Sequence, residues 1–340
     1  MADTPRHRGA ATLTIGLVVV VAALAGAALL SLAIGSRALP FGTVLHYLVD
    51  PDPTSRDGLI VSEVRIPRTL IGLLAGAALG LGGAVVQGIT RNPVADPGLL
   101  GINTGAALLV VTAISVFGVT SLVGYVWFGF AGAALAAALV YLISSVGRGG
   151  ATPIKLALSG AAVSAALGSF TTAVLLIDVK AYDQFRFWQV GSLAGRGTDV
   201  IWPSLPFLAV GLLLALASTR ALNALALGED VATSLGQNVN RARLIAAASV
   251  VLLCGTATAM AGPIVFVGLV IPHLARMITG PDHRWLLPYS MLLAPLLLLV
   301  ADVIGRVVAR PGEVQVGIVT ALIGAPVFVA LARRTRLAEL

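Results

Sequence analysis

Arg65 and Arg68, in the run Arg65-Ile66-Pro67-Arg68, are the residues of this chain that most invite a chemical reading. Three positions apart, they share one helix face at the start of a long apolar run. Cations there oppose the macrodipole of their own helix, typically by about 0.3–1 kcal/mol, so helix stability does not account for them. Anchoring at a lipid headgroup, or pairing with Glu63, is one explanation. The other is a cationic post that receives an acidic partner surface. Arg306 is a third candidate for that post, with Asp302 one turn earlier as its alternative partner.

Two other segments combine unusual residues. In Arg91-Asn92-Pro93-Val94-Ala95-Asp96-Pro97-Gly98, Asp96 reads as an N-cap before a proline-tolerant first helical position, so a helix is expected to start there. Asn92, Pro93, Asp96, Pro97 and Gly98 together demand an unusual backbone. The stretch from Leu227 to Gly236 reads as a short amphipathic helix between Gly228 and Gly236. Ala232 and Leu235, three apart, form its apolar face, turned to the membrane or to a partner. Small residues recur every fourth position at Gly72, Gly76, Gly80, Ala84 and Gly88, and a similar set is Ser159, Gly160, Ser164 and Gly168. Such stripes let helix backbones approach closely; a pore lining is the alternative.

Familiar catalytic chemistry is absent from the sequence. Neither Lys155 nor Lys180 follows a glycine, so there is no Gly-Lys-[Ser/Thr] phosphate cradle. The four histidines form no HExxH, no aspartate follows a glycine, and no metal site is expected. The acidic residues fall at the ends of apolar runs or between them, whereas an ion-coupled carrier usually keeps an ionisable group at mid-membrane.

The elements that must position these residues follow from composition. Of 340 residues, 58% are hydrophobic and 11% charged, with mean hydropathy +0.97. Soluble domains have about 45–50% and about 25%, so a soluble enzyme is excluded and a bilayer is the solvent. A spanning helix needs roughly 20 apolar residues. The uncharged runs are Gly9–Ser36, Thr69–Thr90, Pro97–Gly147 (two spans, turning near Gly118–Gly124), Leu156–Ile177, Val200–Thr219, Leu244–Ala275, Trp285–Ala301 and Val314–Ala332. Leu244–Ala275 makes two spans if Gly262-Pro263 breaks it, since proline removes a helical donor.

Arg6 and Arg8 open the chain and Arg333, Arg334 and Arg336 close it, so both ends read as cytoplasmic and the number of spans is even. The fold expected is therefore an all-α polytopic membrane protein of ten spans. Residues 1–12 form an inner N-terminus, 13–334 one transmembrane domain with an inner loop at 220–243, and 335–340 an inner tail. The net charge of +7 is then an orientation signal rather than a sign of nucleic acid. Cys254 stands alone, so no internal disulfide forms.

Taken together, these blocks resemble the FecCD family, the permeases of ABC importers for iron–siderophore, haem and cobalamin. The resemblance rests on Arg65-Ile-Pro-Arg68, Gln87-Gly88, Arg91 through Gly101, and Trp188-Gln-Val-Gly-Ser-Leu193. Leu227-Gly-Glu229, Gly262-Pro-Ile-Val-Phe-Val-Gly268, Asp302, Arg306 and Gly317 through Pro326 continue it. It implies a ten-helix permease paired with a second copy or a paralogue, with an ATPase subunit beneath each. Gly228, Glu229, Ala232, Leu235 and Gly236 would dock into the ATPase, and Arg65, Arg68 and Arg306 would receive acidic residues of a substrate-binding protein. Asn92–Gly98 would flank an inner gate, and Ser159, Gly160, Ser164 and Gly168 would line the path. One departure is Gln315, where the family commonly has proline.

The function expected is ATP-driven import of a ferric siderophore through the inner membrane of a bacterium. Haem and cobalamin are alternative cargoes, and ion-coupled secondary transport is the rival class. This chain needs no cofactor; ATP with magnesium belongs to the partner subunits.

Overall fold

The computed structural model describes residues 9–35, 38–50, 52, 54–147 and 152–338. Arg6, Arg8 and Arg37 lie outside the described residues, as do the side chains of Arg334 and Arg336. Every regular element among the described residues is helical. In chain order they are α1 (Ala10–Ala33), α2 (Phe41–Val49), α3 (Arg56–Thr90), α4 (Ile102–Ser115), α5 (Leu122–Ser145), α6 (Pro153–Ile177) and α7 (Val179–Gln189). Then follow α8 (Ile201–Ala217), α9 (Thr219–Ala226), α10 (Glu229–Ser234), α11 (Val239–Ala261), α12 (Val267–Thr279), α13 (His283–Val308) and α14 (Val316–Ala338).

Six of these helices are long and apolar enough to cross a bilayer, and α8 with α9, bent by 45°, forms a seventh. Shorter apolar helices at α4, α12 and Val316–Ala330 of α14 stand where the other three spans were expected, which makes about ten apolar segments in all. The turn after α4 falls where the glycines placed it, with Ser121 capping α5 by accepting from the Gly124 amide at 3.1 Å. The long run Leu244–Ala275 does break at Gly262. That residue has φ +76° and ends α11, and Phe266, at φ +68°, leads into α12. Non-helical backbone at membrane depth must be satisfied within the protein. Here the Ala261 carbonyl accepts from the Ser192 amide at 2.7 Å, and the Gly191 carbonyl accepts from the Gly317 amide at 3.1 Å.

Helix α3 is the hub, and its stripe of small residues is a packing face. A side chain at Gly72 would meet Leu299, at Gly76 the backbone of Pro295, and at Gly80 the Ser290 carbonyl, all on α13. Gly83 lies against the backbone of Gly268 on α12, and Gly82 against Cys254 on α11. Lipid tails are as apolar as leucine, so helices in a bilayer associate through close contact of this kind rather than through hydrophobic exclusion. Gly168 on α6 differs, with no atom within 4 Å of where a Cβ would stand. Gly80→Val is therefore expected to destabilise the detergent-solubilised protein by at least the ~1–3 kcal/mol of an overpacked core. Gly168→Val is expected to melt within a degree or two of wild type, and equal losses at both positions would contradict this packing.

Candidate functional site

The residues singled out gather at two ends of the bundle. Helix α11 has 23 residues, about 35 Å of rise. One end carries α10, and the opposite end carries Gly262, the start of α3 and the end of α13.

At the end opposite α10, two of the three arginines meet one carboxylate, and the third lies beside them. Arg68 places Nη2 2.7 Å from Asp302 Oδ1 and Nε 3.0 Å from Asp302 Oδ2, and its Nη1 reaches Glu313 Oε2 at 2.7 Å. Arg306 Nη2 lies 2.8 Å from Asp302 Oδ2. Its Nη1 donates to the Ser31 and Ile34 carbonyls at 2.8 and 2.7 Å. Arg65 donates to the carbonyls of Leu32 and Ala33. The last carbonyls of a helix have no intrahelical donor, so Arg65 and Arg306 cap the C-terminus of α1. Because α3 begins at Arg56, Arg65 and Arg68 lie more than two turns inside it rather than at its first turn, and Arg65 faces the negative end of α1 instead.

The cationic post expected from the sequence is recessed rather than projecting. Arg65, Arg68 and Arg306 are only 4%, 6% and 2% exposed. They floor a small cleft of about 160 Å³, with Glu313 at its rim. Asp302 is the partner of Arg306, as the alternative reading had it, and also of Arg68. It stands within α13 and is fully buried rather than sitting at a span end. Glu63 is exposed, whereas both arginines of its helix are buried.

At the α10 end, Arg91 ends α3 in the left-handed region at φ 51°, and the Asn92 amide returns to the Gln87 carbonyl at 3.2 Å. Asn92 Oδ1 accepts from the Val94 amide at 3.0 Å across Pro93. Asp96 is a cap, its Oδ1 accepting from the Gly98 amide at 2.7 Å. The helix it opens is a single 3₁₀ turn, Pro97–Leu100, and Gly101 at φ +72° separates that turn from α4. A cavity of about 270 Å³ opens beside this turn, lined by Thr90, Asn92, Leu99 and the start of α6 at Pro153 and Leu156.

The four α6 positions divide. Gly160 packs against the Leu99 carbonyl, and Ser164 accepts from Thr104 Oγ1 at 3.3 Å, so both face the 3₁₀ turn and α4 instead of open space. Ser159 is half-buried and Gly168 is open. The outer surface of α6 is bare, with Leu158, Phe170, Leu176 and Ile177 exposed.

The α10 loop is held by two glycines in conformations other residues avoid, Gly228 at φ +112° and Gly236 at φ +80°. Ala232 is fully buried against Leu225, Ala224 and neighbours on α11, while Leu235 is 61% exposed. The two therefore do not form one outward face, as their spacing had suggested. The exposed apolar residues are Leu227, Val231 and Leu235. Glu229 forms an ion pair with buried Arg243, pinning α10 to α11.

Sequence reasoning missed Arg243, Arg196 and the link between α9 and α13. In that link Asn223 donates to Asp282 Oδ1 at 2.7 Å and accepts from His283 through Oδ1. Asp282 before His283 was a readable N-cap; Asn223 carried no signal of its own. Among the described residues no group of His, Cys, Asp and Glu could hold a metal ion.

The buried cluster generates a direct test. Asp302→Asn keeps the shape but leaves Arg306 without a carboxylate partner and Arg68 with Glu313 alone, and breaking a buried pair costs about 3–5 kcal/mol. The solubilised variant is expected to lose most of its cooperative melting transition, and an unchanged melting curve would show the cluster to be structurally idle.

Comparison with known proteins agrees with this geometry. The model of the FecCD transport family matches residues 19–334. The ferric enterobactin transport system permease protein of Escherichia coli is 48% identical over 306 residues, covering 90% of this chain and 91% of that protein. A cobalamin import system permease protein of Halobacterium salinarum is 42% identical, covering 81% and 73%. Among solved structures, an inward-facing metal-chelate type ABC transporter superposes with TM-score 0.82 at 31% identity, covering 94% of this chain and 98% of that one. Its own helices and these matches along nearly its full length make the chain a multi-pass membrane protein of the FecCD transport family.

Proposed function

We propose that this chain is the membrane-spanning permease subunit of an ATP-driven importer that carries a ferric siderophore from a substrate-binding protein across the cytoplasmic membrane of a bacterium. The observation that carries the proposal is α10. It is a two-glycine-bracketed helix with Leu227, Val231 and Leu235 exposed on one side and Ala232 and Glu229 tied to the bundle on the other. A helix built in this way receives a push from a partner and passes it to α11. The partner is an ATPase subunit, which supplies the ATP and magnesium that this chain has no cradle for. Glu229 and Ala232 act as the foot of the lever, and Leu235 with Val231 as its contact.

The bare face of α6 suits a second permease copy or paralogue, with the path between the two. The cavity beside Asn92 then stands at the inner end of that path. On the outer side, the arginine-floored cleft would accept an acidic side chain of the binding protein, which would compete with Glu313 for Arg68. Ferric siderophore is the preferred cargo because the ferric-enterobactin relative is the nearer of the two relatives above. Ion-coupled transport has less support, since the buried carboxylate Asp302 is already shared by two arginines.

In a strain deleted for this gene, plasmid-borne wild type is expected to restore uptake of labelled ferric siderophore, and not of haem or cobalamin. Restoration of haem or cobalamin alone would reassign the cargo. Leu235→Asp is expected to cut uptake about 10-fold or more and to weaken co-purification of the ATPase, as loss of an apolar interface anchor does. Wild-type uptake in Leu235→Asp would place the ATPase elsewhere.

A further inference from the structure

Between α7 and α8, at the end of the bundle that carries Gly262, lies a cavity of about 220 Å³ that the transport reading above leaves without a role. Gln184, Trp188, Ser192, Arg196 and Gln315 line it. Arg196 is 6% exposed. Its Nε donates to the Ser192 carbonyl at 3.0 Å, but its Nη1 is buried with no acceptor. Trp188 is 2% exposed and its indole Nε1 is also buried without a partner. Gln184 accepts from the Tyr125 hydroxyl through Oε1 at 3.1 Å, which leaves its amide nitrogen as a donor.

The side chains around this cavity are thus rich in donors, and no carboxylate lines it among the described residues. Acids close in sequence to the lining residues have other partners, Asp199 Oδ1 accepting from the Val200 amide at 3.1 Å. Glu313 is with Arg68 at 2.7 Å, Asp183 with Arg186 at 3.4 Å, and Asp178 accepts from Ser115 at 2.8 Å. Burial pushes the Arg196 guanidinium down to about 10, so it remains a cation at neutral pH. An uncompensated buried cation is costly unless something pairs with it. Folding gives no account of Arg196, because its one hydrogen bond to Ser192 uses a fraction of its donors. Gln315, the departure from the family pattern, adds another polar group to the same wall.

We propose that Arg196, with Trp188 Nε1 and Gln184, forms an anion-binding subsite that takes an oxyanion of the metal chelate as it leaves the binding protein. The site lies on α7 and the loop after it, directly following α6, so it stands at the outer mouth of the path. It rests on the reading of the chain as a ferric-chelate permease and adds to it a preference for charge. A ferric tris-catecholate carries three negative charges, whereas a ferric tris-hydroxamate is neutral, so the site favours the former.

The test uses the complete importer, with binding protein and ATPase, in proteoliposomes. Wild type and Arg196→Gln are compared for the KM of a ferric tris-catecholate and of a neutral ferric tris-hydroxamate. The ratio of the two KM values is expected to shift about 10-fold against the catecholate, the lower end of what a charge-assisted hydrogen bond contributes. Arg196→Lys is expected to recover part of the shift. A second readout separates binding from folding: with no chelate present, Arg196→Gln should melt no lower than wild type, because a strained cation is removed.

An unchanged KM ratio, or a lowered melting temperature with both KM values raised alike, overturns the proposal in favour of a structural arginine. Weaker association of the chelate-free binding protein with Arg196→Gln overturns it in favour of a protein carboxylate as the anion. Wild-type importer that moves no ferric chelate removes the underlying reading, and the subsite with it.

Discussion

Backbone polar groups in a bilayer have no water to turn to, and the architecture of this chain follows from where those groups find partners. The clearest case is the C-terminus of α1. Its orphan carbonyls are met by Arg65 from α3 and Arg306 from α13, while Asp302 holds Arg306 and Arg68 together. One carboxylate thereby ties three spans at one end of the molecule. The break between α11 and α12 obeys the same constraint, since the carbonyl of Ala261 is met by the backbone of the loop at Ser192.

The other source of cohesion is proximity. Along α3 the absence of side chains at Gly76, Gly80 and Gly83 lets α12 and α13 close onto its backbone, where dispersion contacts are densest. The result is uneven. Helices α3, α11 and α13 are packed on several sides, whereas α6 is bare along one face and α10 is held by Ala232 and the Glu229–Arg243 pair. A transporter driven from outside needs this division between a rigid block and surfaces left for partners. The two bare elements are those assigned to the second permease and the ATPase.

Much of the fold was legible because hydropathy reports burial in lipid directly. The eight uncharged runs, the turn near Gly118–Gly124 and the break at Gly262-Pro263 all correspond to elements in the structure. The site was legible by location and less so by role. Arg65 and Arg68 were conspicuous as cations where the apolar run begins, yet the run cannot reveal that α3 starts nine residues earlier at Arg56, or that the end of α1 lies across from Arg65. Ala232 and Leu235 were paired by spacing, but α10 has only six residues, too few for a three-residue interval to fix which side faces the bundle. Gly160 was grouped with the path because a stripe of small residues looks the same whether it admits a helix or a substrate. Arg196 left no mark in the pattern at all; only its lack of a partner in three dimensions makes it visible.

The central claim is that transport here is powered by ATP in a separate subunit and not by an ion gradient through this chain. The most direct measurement is chelate accumulation in proteoliposomes holding this permease with its ATPase and binding protein, with proton and sodium gradients abolished by ionophores. The account predicts that accumulation persists at full rate, requires ATP, and stops when the ATPase is omitted. Accumulation that collapses with the ion gradients, or proceeds without the ATPase, would contradict it.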